Sequence, residues 1–369
     1  MKMMTYFKRA LLSLSVLTAF SLAVSCGSSD DDVEFNPNLD SDLGLGQPVD
    51  ECIDLGSNEL LLSIQDEFTT LPGKVSVFFR VTDVTGNPVA GLTANQFTIY
   101  EQGRNDDCFR TISPSESQAR ISPNSQVFTN STLLVLDLSN SVLSSSLAEL
   151  KSASSSFINN VMEGPQSDSF QMAIYWFDGQ DELHQLEPLT PSREALLEAI
   201  DGITTDISSD PSTDLYGAVI KSTDVAEALL EDSLEKSTIG AASVVLFTDG
   251  TDQASRYREK DALDKVAEAD SNISFFTIGL GTEIDTQILE SVGKTFSVFA
   301  GNKEELETTF NQLSQKVSER ANSFYLFEYC SPKRDGSGEN NLVIQVLRGS
   351  QQGAVQTRFD ASGFTGGCQ

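Results

Sequence analysis

The middle of the chain alternates continuous apolar runs with segments in which apolar residues recur every three or four positions. The continuous runs predict buried strands at 132–137, 172–177, 243–247, 273–279 and 298–300. The periodic segments predict amphipathic helices at 143–161, from Ser192 onward, and at 215–230, 260–269, 283–292 and 303–320. Buried strands separated by amphipathic helices predict an α/β fold with a central, mostly parallel sheet covered on both faces.

The two flanks of this region are rich in β-forming residues instead. Before it, the stretch 60–112 contains partly alternating segments such as 75–81 and 97–103. After it, 324–330 and 341–347 enclose a Gly-containing turn. Both flanks are therefore predicted to form short strands.

Composition narrows the class of partner. The chain has 369 residues, enough for two domains, and its 39% hydrophobic content supports a core. Its formal charge is −30. A phosphate backbone would be repelled, so nucleic acid is not an expected partner.

The amino terminus has the pattern of a targeting segment. Basic residues precede apolar residues 10–24, a stretch too short to favour a bilayer span of about 20 residues. Leu22-Ala23-Val24-Ser25-Cys26 resembles a bacterial lipobox, with Ala23 where Leu is usual. The prediction is a signal peptide at 1–26 with a lipid such as palmitate on Cys26. Ordinary secretory cleavage and an uncleaved anchor are the alternatives.

Residues 27–55 begin with Gly-Ser-Ser-Asp-Asp-Asp and show little apolar periodicity, which predicts a disordered acidic tether. A serine followed by acidic residues after the lipid cysteine resembles the surface-export signal of Bacteroidetes lipoproteins. This implies a lipid anchor in the bacterial outer membrane, with outward and periplasmic orientations both open.

Four further cysteines remain, and outside the cytoplasm they predict two disulfides with three possible connectivities. These cysteines are Cys52, Cys108, Cys330 and Cys368. A zinc site is disfavoured, because the chain has no C-x-x-C pair and its only histidine is His184.

Candidate metal ligands follow the predicted strands. Asp137, Ser139 and Ser141 form a D-x-S-x-S pattern directly after the run 132–136, with Thr213 and Asp249 downstream. Their oxygens suit Mg²⁺ or Mn²⁺, and the carboxyl ends of strands in open α/β sheets are where ligands bind. Taken singly, each residue is better explained as a turn residue or helix cap.

Together the five residues resemble the metal-ion-dependent adhesion site of von Willebrand factor A (VWA) domains. The resemblance implies a Rossmann-like domain at 131–321. It also implies direct contact of the ion with Ser139, Ser141 and Thr213, and contact through water for Asp137 and Asp249. The open position on the ion would take a carboxylate from a protein partner.

The leading flank resembles the segment that precedes VWA domains in bacterial secreted proteins, where V-x-D-x-x-G-x-P-V-x-G-L and F-x-I-x-E-x-G occur in that order. The matching stretches are 81–92 and 97–103. In this fold the first strand and last helix lie near each other. We therefore expect the flanks, 56–115 and 322–369, to form one β-sandwich, with a linker at 116–130. A disulfide between the flanks, Cys108 with Cys330, is expected, and pairing within each flank stays open.

Other polar clusters have simpler interpretations. Asp178, Asp181 and Glu182 could form a second ion site, but a solvated acidic loop is the preferred interpretation. Catalysis has little support, because His184 is alone and neither a G-x-S-x-G elbow nor a P-loop is present. No enzymatic activity is expected.

The combined prediction is a surface-tethered lipoprotein with a divalent-cation-dependent, adhesion-type protein-binding domain. The alternative is a scaffold subunit of an envelope transport or motility assembly, in which the metal only braces the loops.

The lipid anchor is tested by Cys26→Ser. We expect the variant to leave the membrane fraction or to accumulate as an uncleaved precursor, because the acylated residue is missing. Fractionation and gel migration identical to wild type would contradict the lipoprotein assignment.

Overall fold

A computed structural model describes residues 46–113, 119–122, 128–163, 166–236, 238–334, 338–366 and 368. The predicted signal peptide, Cys26 and the tether up to residue 45 lie outside these residues. The described residues belong to one compact unit, which combines an α/β layer with a β-sandwich. Among the helices described, none has the length and apolar character needed to cross a bilayer.

The α/β layer is built on a six-stranded sheet in the order β11-β10-β9-β6-β7-β8. All neighbouring pairs are parallel except β7 with β8, which are antiparallel. The predicted fold class, with a mostly parallel central sheet, is confirmed. The strands are β6 (Phe128–Asp137), β7 (Phe170–Phe177), β8 (His184–Thr190), β9 (Ile239–Thr248), β10 (Ile273–Leu280) and β11 (Phe296–Ala300).

Seven helices are described in this layer, and they cover both faces of the sheet. They are α1 (Asn140–Ser145), α2 (Leu147–Val161), α3 (Arg193–Asp201), α4 (Leu215–Glu235), α5 (Glu259–Glu268), α6 (Thr286–Val292) and α7 (Leu306–Ala321). Helices α2, α3 and α7 pack on one face, around Phe157 and Phe310. Helices α4, α5 and α6 pack on the other, around Val219 and Val266.

Several boundaries differ from the prediction. Strand β8 was not predicted, because its residues are half-buried or exposed and do not form a continuous apolar run. The helical pattern at 143–161 is interrupted at Ser146, between α1 and α2. Helix α6 begins at Thr286 rather than 283, because the Asp285 side chain caps it by accepting from two backbone N–H groups.

Strands from both flanks form the two sheets of the sandwich. One sheet has the order β1-β2-β12-β5 and the other β14-β13-β3-β4. The strands are β1 (Leu60–Thr70), β2 (Lys74–Asp83), β3 (Phe97–Gln102), β4 (Arg110–Ile112), β5 (Arg120–Ser122), β12 (Phe324–Cys330), β13 (Glu339–Arg348) and β14 (Gln351–Asp360). The expected sandwich of both flanks is present, although β5 and the start of β6 lie within the predicted linker 116–130.

Buried polar contacts join the two layers of the sandwich. Glu101 on β3 is 1% exposed and accepts hydrogen bonds from Tyr329 Oη on β12 at 2.8 Å and from Ser331 Oγ at 3.2 Å. Burial raises the pKa of Glu101. The Tyr325 hydroxyl donates to Val89 O and accepts from Leu92 N. These contacts use residues of the leader pattern that resembled VWA-associated segments.

An aromatic cluster joins the sandwich to the α/β layer. Phe78 on β2 and Phe324 on β12 pack against Phe128 at the start of β6, with ring centroids 5.0–5.8 Å apart. Phe170 and Ala241 complete the contact at the amino ends of β7 and β9. The sandwich therefore contacts the sheet at the end opposite to the predicted metal site.

Residues 46–59, here called the strap, run along the outer edge of β14. Gln47 pairs with Gln356, Glu59 N donates to Gln352 O at 2.7 Å, and Asn58 exchanges two hydrogen bonds with Ala354. The last ten residues of the predicted tether 27–55 are thus held against the sandwich. The strap covers backbone groups that would otherwise be a free sheet edge.

The cysteines pair within each side of the α/β region, and neither disulfide joins the two flanks. Two disulfides are present as predicted, but they are Cys52–Cys108 and Cys330–Cys368, so the expected Cys108–Cys330 bond is wrong. Cys330 ends β12 in one sheet and Cys108 precedes β4 in the other. Packed sheets lie about 10 Å apart, beyond the usual Cα separation of a disulfide.

We expect Cys108→Ser to lower the free energy of unfolding, by up to about 4 kcal/mol on the chain-entropy model, because Cys52–Cys108 closes a loop of 56 residues. Denaturant unfolding measures the change. Peptide mapping without reductant should recover a Cys52–Cys108 cross-link from wild type, and recovery of Cys108 joined to Cys330 would contradict the structure.

Candidate metal centre

The five predicted ligands lie at the carboxyl edge of the central sheet. Strand β6 ends at Asp137, and the neighbouring β9 ends one residue before Asp249. The chain continues from β6 to β7 on one side and from β9 to β10 on the other, so this is the switch point where ligands bind in open α/β sheets.

Asp137 is fully buried, and the two oxygens of its carboxylate have different partners. Ser139 N donates to Oδ1 at 2.9 Å, and Thr248 Oγ1 donates to Oδ2 at 2.7 Å. Burial raises the pKa of Asp137 to about 7, against the lowering effect of these hydrogen bonds, and the nearby Asp249 raises it further. Asp137 therefore fixes the loop after β6 and supplies negative charge beneath the site.

The two serines connect this loop to β9. Ser139 Oγ lies 3.2 Å from Ser141 Oγ, and Ser141 Oγ donates to Asp249 Oδ1 at 2.8 Å. Burial raises the pKa of Asp249 too. Two hydroxyls and a carboxylate thus form one continuous group of oxygens at the edge of the sheet.

Thr213 enters the same site from the loop before α4. Its hydroxyl lies 3.9 Å from where a side chain on Gly250 would begin, which places it next to the Asp249 turn. Its carbonyl accepts from Gln253 N at 2.8 Å and Ala254 N at 3.1 Å, so the loop after β9 holds the residue in place. Thr213 is 1% exposed, and no described residue hydrogen-bonds its side chain.

The acidic residues after β7 have structural partners. Asp178 is buried and accepts from Ser208 Oγ at 2.7 Å and Gln180 N at 2.8 Å, which fixes the loop leading to Thr213. Asp181 pairs with Lys221 Nζ at 2.6 Å. The preferred interpretation of a solvated acidic loop therefore needs correction at Asp178, whose carboxylate is enclosed and hydrogen-bonded.

The histidine lies apart from the serines of the site. Its ring stacks on Trp176 with centroids 4.0 Å apart, and its Nδ1 is 3.7 Å from Glu182 Oε1. In the described part of the chain, His184 has no contact with Ser139 or Ser141. The histidine is therefore not placed to act as a base for either serine.

The donor set is suited to a hard divalent cation. Within the described ranges, no three His, Cys, Asp or Glu side chains converge on a common point. The site instead combines two carboxylates with three hydroxyls, all oxygen donors of the kind that Mg²⁺ and Mn²⁺ accept. Thr213 as a whole is buried, and its hydroxyl, which no other described residue hydrogen-bonds, fits a ligand role.

A family comparison agrees with this geometry. The model of the von Willebrand factor type A domain matches residues 133–316. These residues form a VWA domain. Members of this family can bind a metal at the motif that the five residues of this chain resemble. A comparison with curated proteins found no match.

Solved structures with a similar fold share little sequence with the chain. A von Willebrand factor type A protein from Catenulispora acidiphila is 10% identical, over 78% of this chain and 69% of that chain, with a TM-score of 0.43. Proximal thread matrix protein 1 from the mussel byssus, with a zinc-occupied metal site, is 16% identical over 52% and 48%, with a TM-score of 0.40. The vWF domain of the pilus tip protein Mfa5 from Porphyromonas gingivalis is 12% identical over 52% and 96%, with a TM-score of 0.38.

Sequence reasoning missed the residues that hold the ligands in position. Thr248 anchors Asp137, and the backbone of 253–254 fixes Thr213. Arg256 donates to Gly179 O at 2.6 Å and so joins the loop after β9 to the loop after β7. Of these residues, only Thr248 could have been suspected from the sequence, because it directly precedes the Asp-Gly turn. Its partner Asp137 could not, because it lies 111 residues away.

The raised pKa of Asp137 predicts a pH-dependent stability of the metal-free VWA domain. Its folded pKa of about 7 exceeds the ordinary 3.8, so between these values the folded state holds a proton that the unfolded state has lost. The contribution of Asp137 to stability therefore falls as pH rises from about 4 to 7 and stays low above 7.

We expect Asp137→Asn to stabilise the metal-free protein at pH 8, by on the order of 2–4 kcal/mol, and to have little effect at pH 4. Urea unfolding in EDTA at both pH values measures this. Asp181→Asn, which removes an exposed carboxylate at the same edge, is the control. A destabilised Asp137→Asn variant at pH 8 would contradict the argument.

Proposed function

We propose that the VWA domain binds Mg²⁺ or Mn²⁺ through the hydroxyls of Ser139, Ser141 and Thr213, with Asp137 and Asp249 acting mainly through water. The observation that carries this is that Ser141 Oγ donates to Asp249 Oδ1 beside the Thr213 hydroxyl, which has no hydrogen-bond partner among the described residues. Both oxygens of Asp137 are already engaged by protein donors, which supports an indirect role for that residue.

The ion would supply a Lewis-acidic position for a carboxylate from a protein partner. Three neutral hydroxyls do not fill the six positions of Mg²⁺, so a place remains for an incoming oxygen. The chain carries a charge of −30, so an acidic partner is repelled at long range, and a bound divalent ion would be the local attraction that reverses this.

A groove beside Asp249 gives such a partner room to dock. It has a volume of about 440 Å³ and is lined by Ser145, Leu280, Glu283 and Lys303, among others. Lys303 Nζ donates to Ser145 O at 3.1 Å and pairs with Glu149 Oε1 at 3.0 Å, so it holds the rim of the groove. A segment in this groove would bring a carboxylate to the ion side of Asp249.

We further propose that the protein is anchored in the outer membrane by a lipid on Cys26 and is not an enzyme. The sandwich packs at the amino ends of the strands, whereas the site is at their carboxyl ends. A partner could therefore approach the ion without meeting the sandwich. The role that fits this arrangement is cation-dependent, adhesion-type binding of a protein.

The metal assignment is tested by titration calorimetry with Mn²⁺. Asp137→Ala should abolish binding, because the negative charge beneath the ion is lost, while circular dichroism should show the sheet intact. If the variant bound Mn²⁺ with the affinity of the wild type, the assignment of the metal site to these residues would be wrong.

The functional role of the ion is tested by capturing partners from cell envelope with the full chain. Thr213→Ala should weaken Mg²⁺-dependent capture and leave folding intact. Ser212→Ala is the matched control, because its hydroxyl donates to Asp210 Oδ1 at 2.7 Å and lies outside the ligand set. Added salt should reduce capture less than EDTA does, since a direct metal–oxygen contact is screened little.

A scaffold role in an envelope transport or motility assembly is the second candidate. It is supported by the way Asp137 ties together the loops after β6 and β9, which an ion could simply reinforce. A partner whose capture survives both EDTA and Thr213→Ala would favour this role over adhesion.

A further inference from the structure

Cationic side chains collect at one place in this strongly acidic protein. A pocket of about 260 Å³ lies where the turn 85–88 of the sandwich meets the VWA domain. Lys294, Lys316 and Arg320 line it, together with Phe276 and Phe296. The chain as a whole has a formal charge of −30, so a cluster of three cationic side chains around one pocket is unexpected.

Arg320 is the most enclosed of these groups, at 9% exposure. Its Nε donates to Ser274 Oγ at 2.7 Å, and Nη2 reaches Ser271 O at only 3.4 Å. Its Nη1 has no hydrogen-bond partner among the described residues. Since a guanidinium presents five donors in a fixed fork, Arg320 retains capacity for an acceptor.

A second arginine, Arg80, lies close to Arg320, and the two positive charges repel each other. The guanidinium carbons of Arg80 and Arg320 lie 5.9 Å and 5.5 Å from the ring centroid of Phe324. Arg80 Nε is buried without a hydrogen-bond partner, and no described carboxylate pairs with either arginine. Burial and the neighbouring Arg80 lower the pKa of Arg320 to about 9, as expected where counter-charge is missing.

The two lysines of the pocket differ in the partners of their ammonium groups. Lys294 Nζ donates to Val266 O at 2.6 Å and lies 4.9 Å from the ring centroid of Phe275, with no acidic partner in the described chain. Lys316 Nζ pairs with Glu319 Oε2 at 2.9 Å. At this junction, none of the three cations Arg80, Lys294 and Arg320 pairs with a carboxylate of the described residues.

We propose that this pocket binds a small oxyanion, a molecule bearing a carboxylate or phosphate group, between the sandwich turn and the VWA domain. Arg320 would hold the group through its free donors, in the charge-assisted geometry that guanidinium favours for both groups. Lys294 would add charge from the rim, and Phe276 and Phe296 would contact apolar parts of the molecule. The site is separate from the metal centre and independent of the proposed adhesive function.

The experiment is calorimetric titration of the full chain with two probes, citrate and inorganic phosphate, at constant ionic strength. Metals are removed beforehand on a chelating resin, and no chelator is added, because EDTA is itself a polycarboxylate. We expect saturable binding of at least one probe with one site per chain. Binding of citrate alone identifies a carboxylate site, and binding of phosphate alone a phosphate site.

Lys294→Gln should weaken binding about tenfold or more, the scale of one charge-assisted contact, and Arg320→Gln should remove it. Lys260→Gln is the matched control, because it removes one positive charge from an exposed lysine that pairs with Asp264 outside the pocket. Should Arg320→Gln fail to fold, Lys294→Gln and its control decide the question. The proposal is overturned if neither probe binds saturably below about 10 mM, or if Lys294→Gln and Lys260→Gln behave alike.

Discussion

The antiparallel pairing of β2 with β12 is the constraint on which the arrangement of this chain depends. It joins residues that lie about 250 positions apart, such as Val77 and Phe327, and so brings both flanks into one sheet. The VWA domain is then an insertion whose two ends must emerge at the same place. The cluster of Phe78, Phe128 and Phe324 fills that place with stacked and tilted rings, which makes the junction a packed core.

This constraint fixes the position of the candidate metal centre. Strand β6 runs from Phe128 at the aromatic junction to Asp137 at the site, and ten residues of strand span roughly 30 Å. The groove beside Asp249 is therefore remote from the sandwich. The strap covers the edge of β14 on the sandwich.

Charge is distributed unevenly over this frame. At the candidate metal centre, burial raises the pKa of both Asp137 and Asp249, so a cation there would stabilise their charged forms. At the junction near Arg320 the local charge is positive, because Arg80 and Arg320 both lie near the Phe324 ring and neither pairs with a carboxylate among the described residues. Each place has the local electrostatics that favour a ligand of opposite sign, despite the net charge of −30.

The sequence by itself determined the α/β class, the strands that end at Asp137 and Asp249, the β-rich flanks and the five candidate ligands, because hydrophobic periodicity and short motifs are local properties. Only the tertiary structure decided what depends on distant neighbours. The polar edge strand β8 is stabilised by pairing with β7, and the strap is held by hydrogen bonds to the edge of β14. The cysteine pairing depends on which segments lie side by side in the folded chain. Thr248 holds Asp137 across 111 residues, and the arginine pair forms where two separate parts of the chain meet. Such contacts produce no periodic pattern in the sequence, because each depends on three-dimensional packing between segments that are remote in sequence.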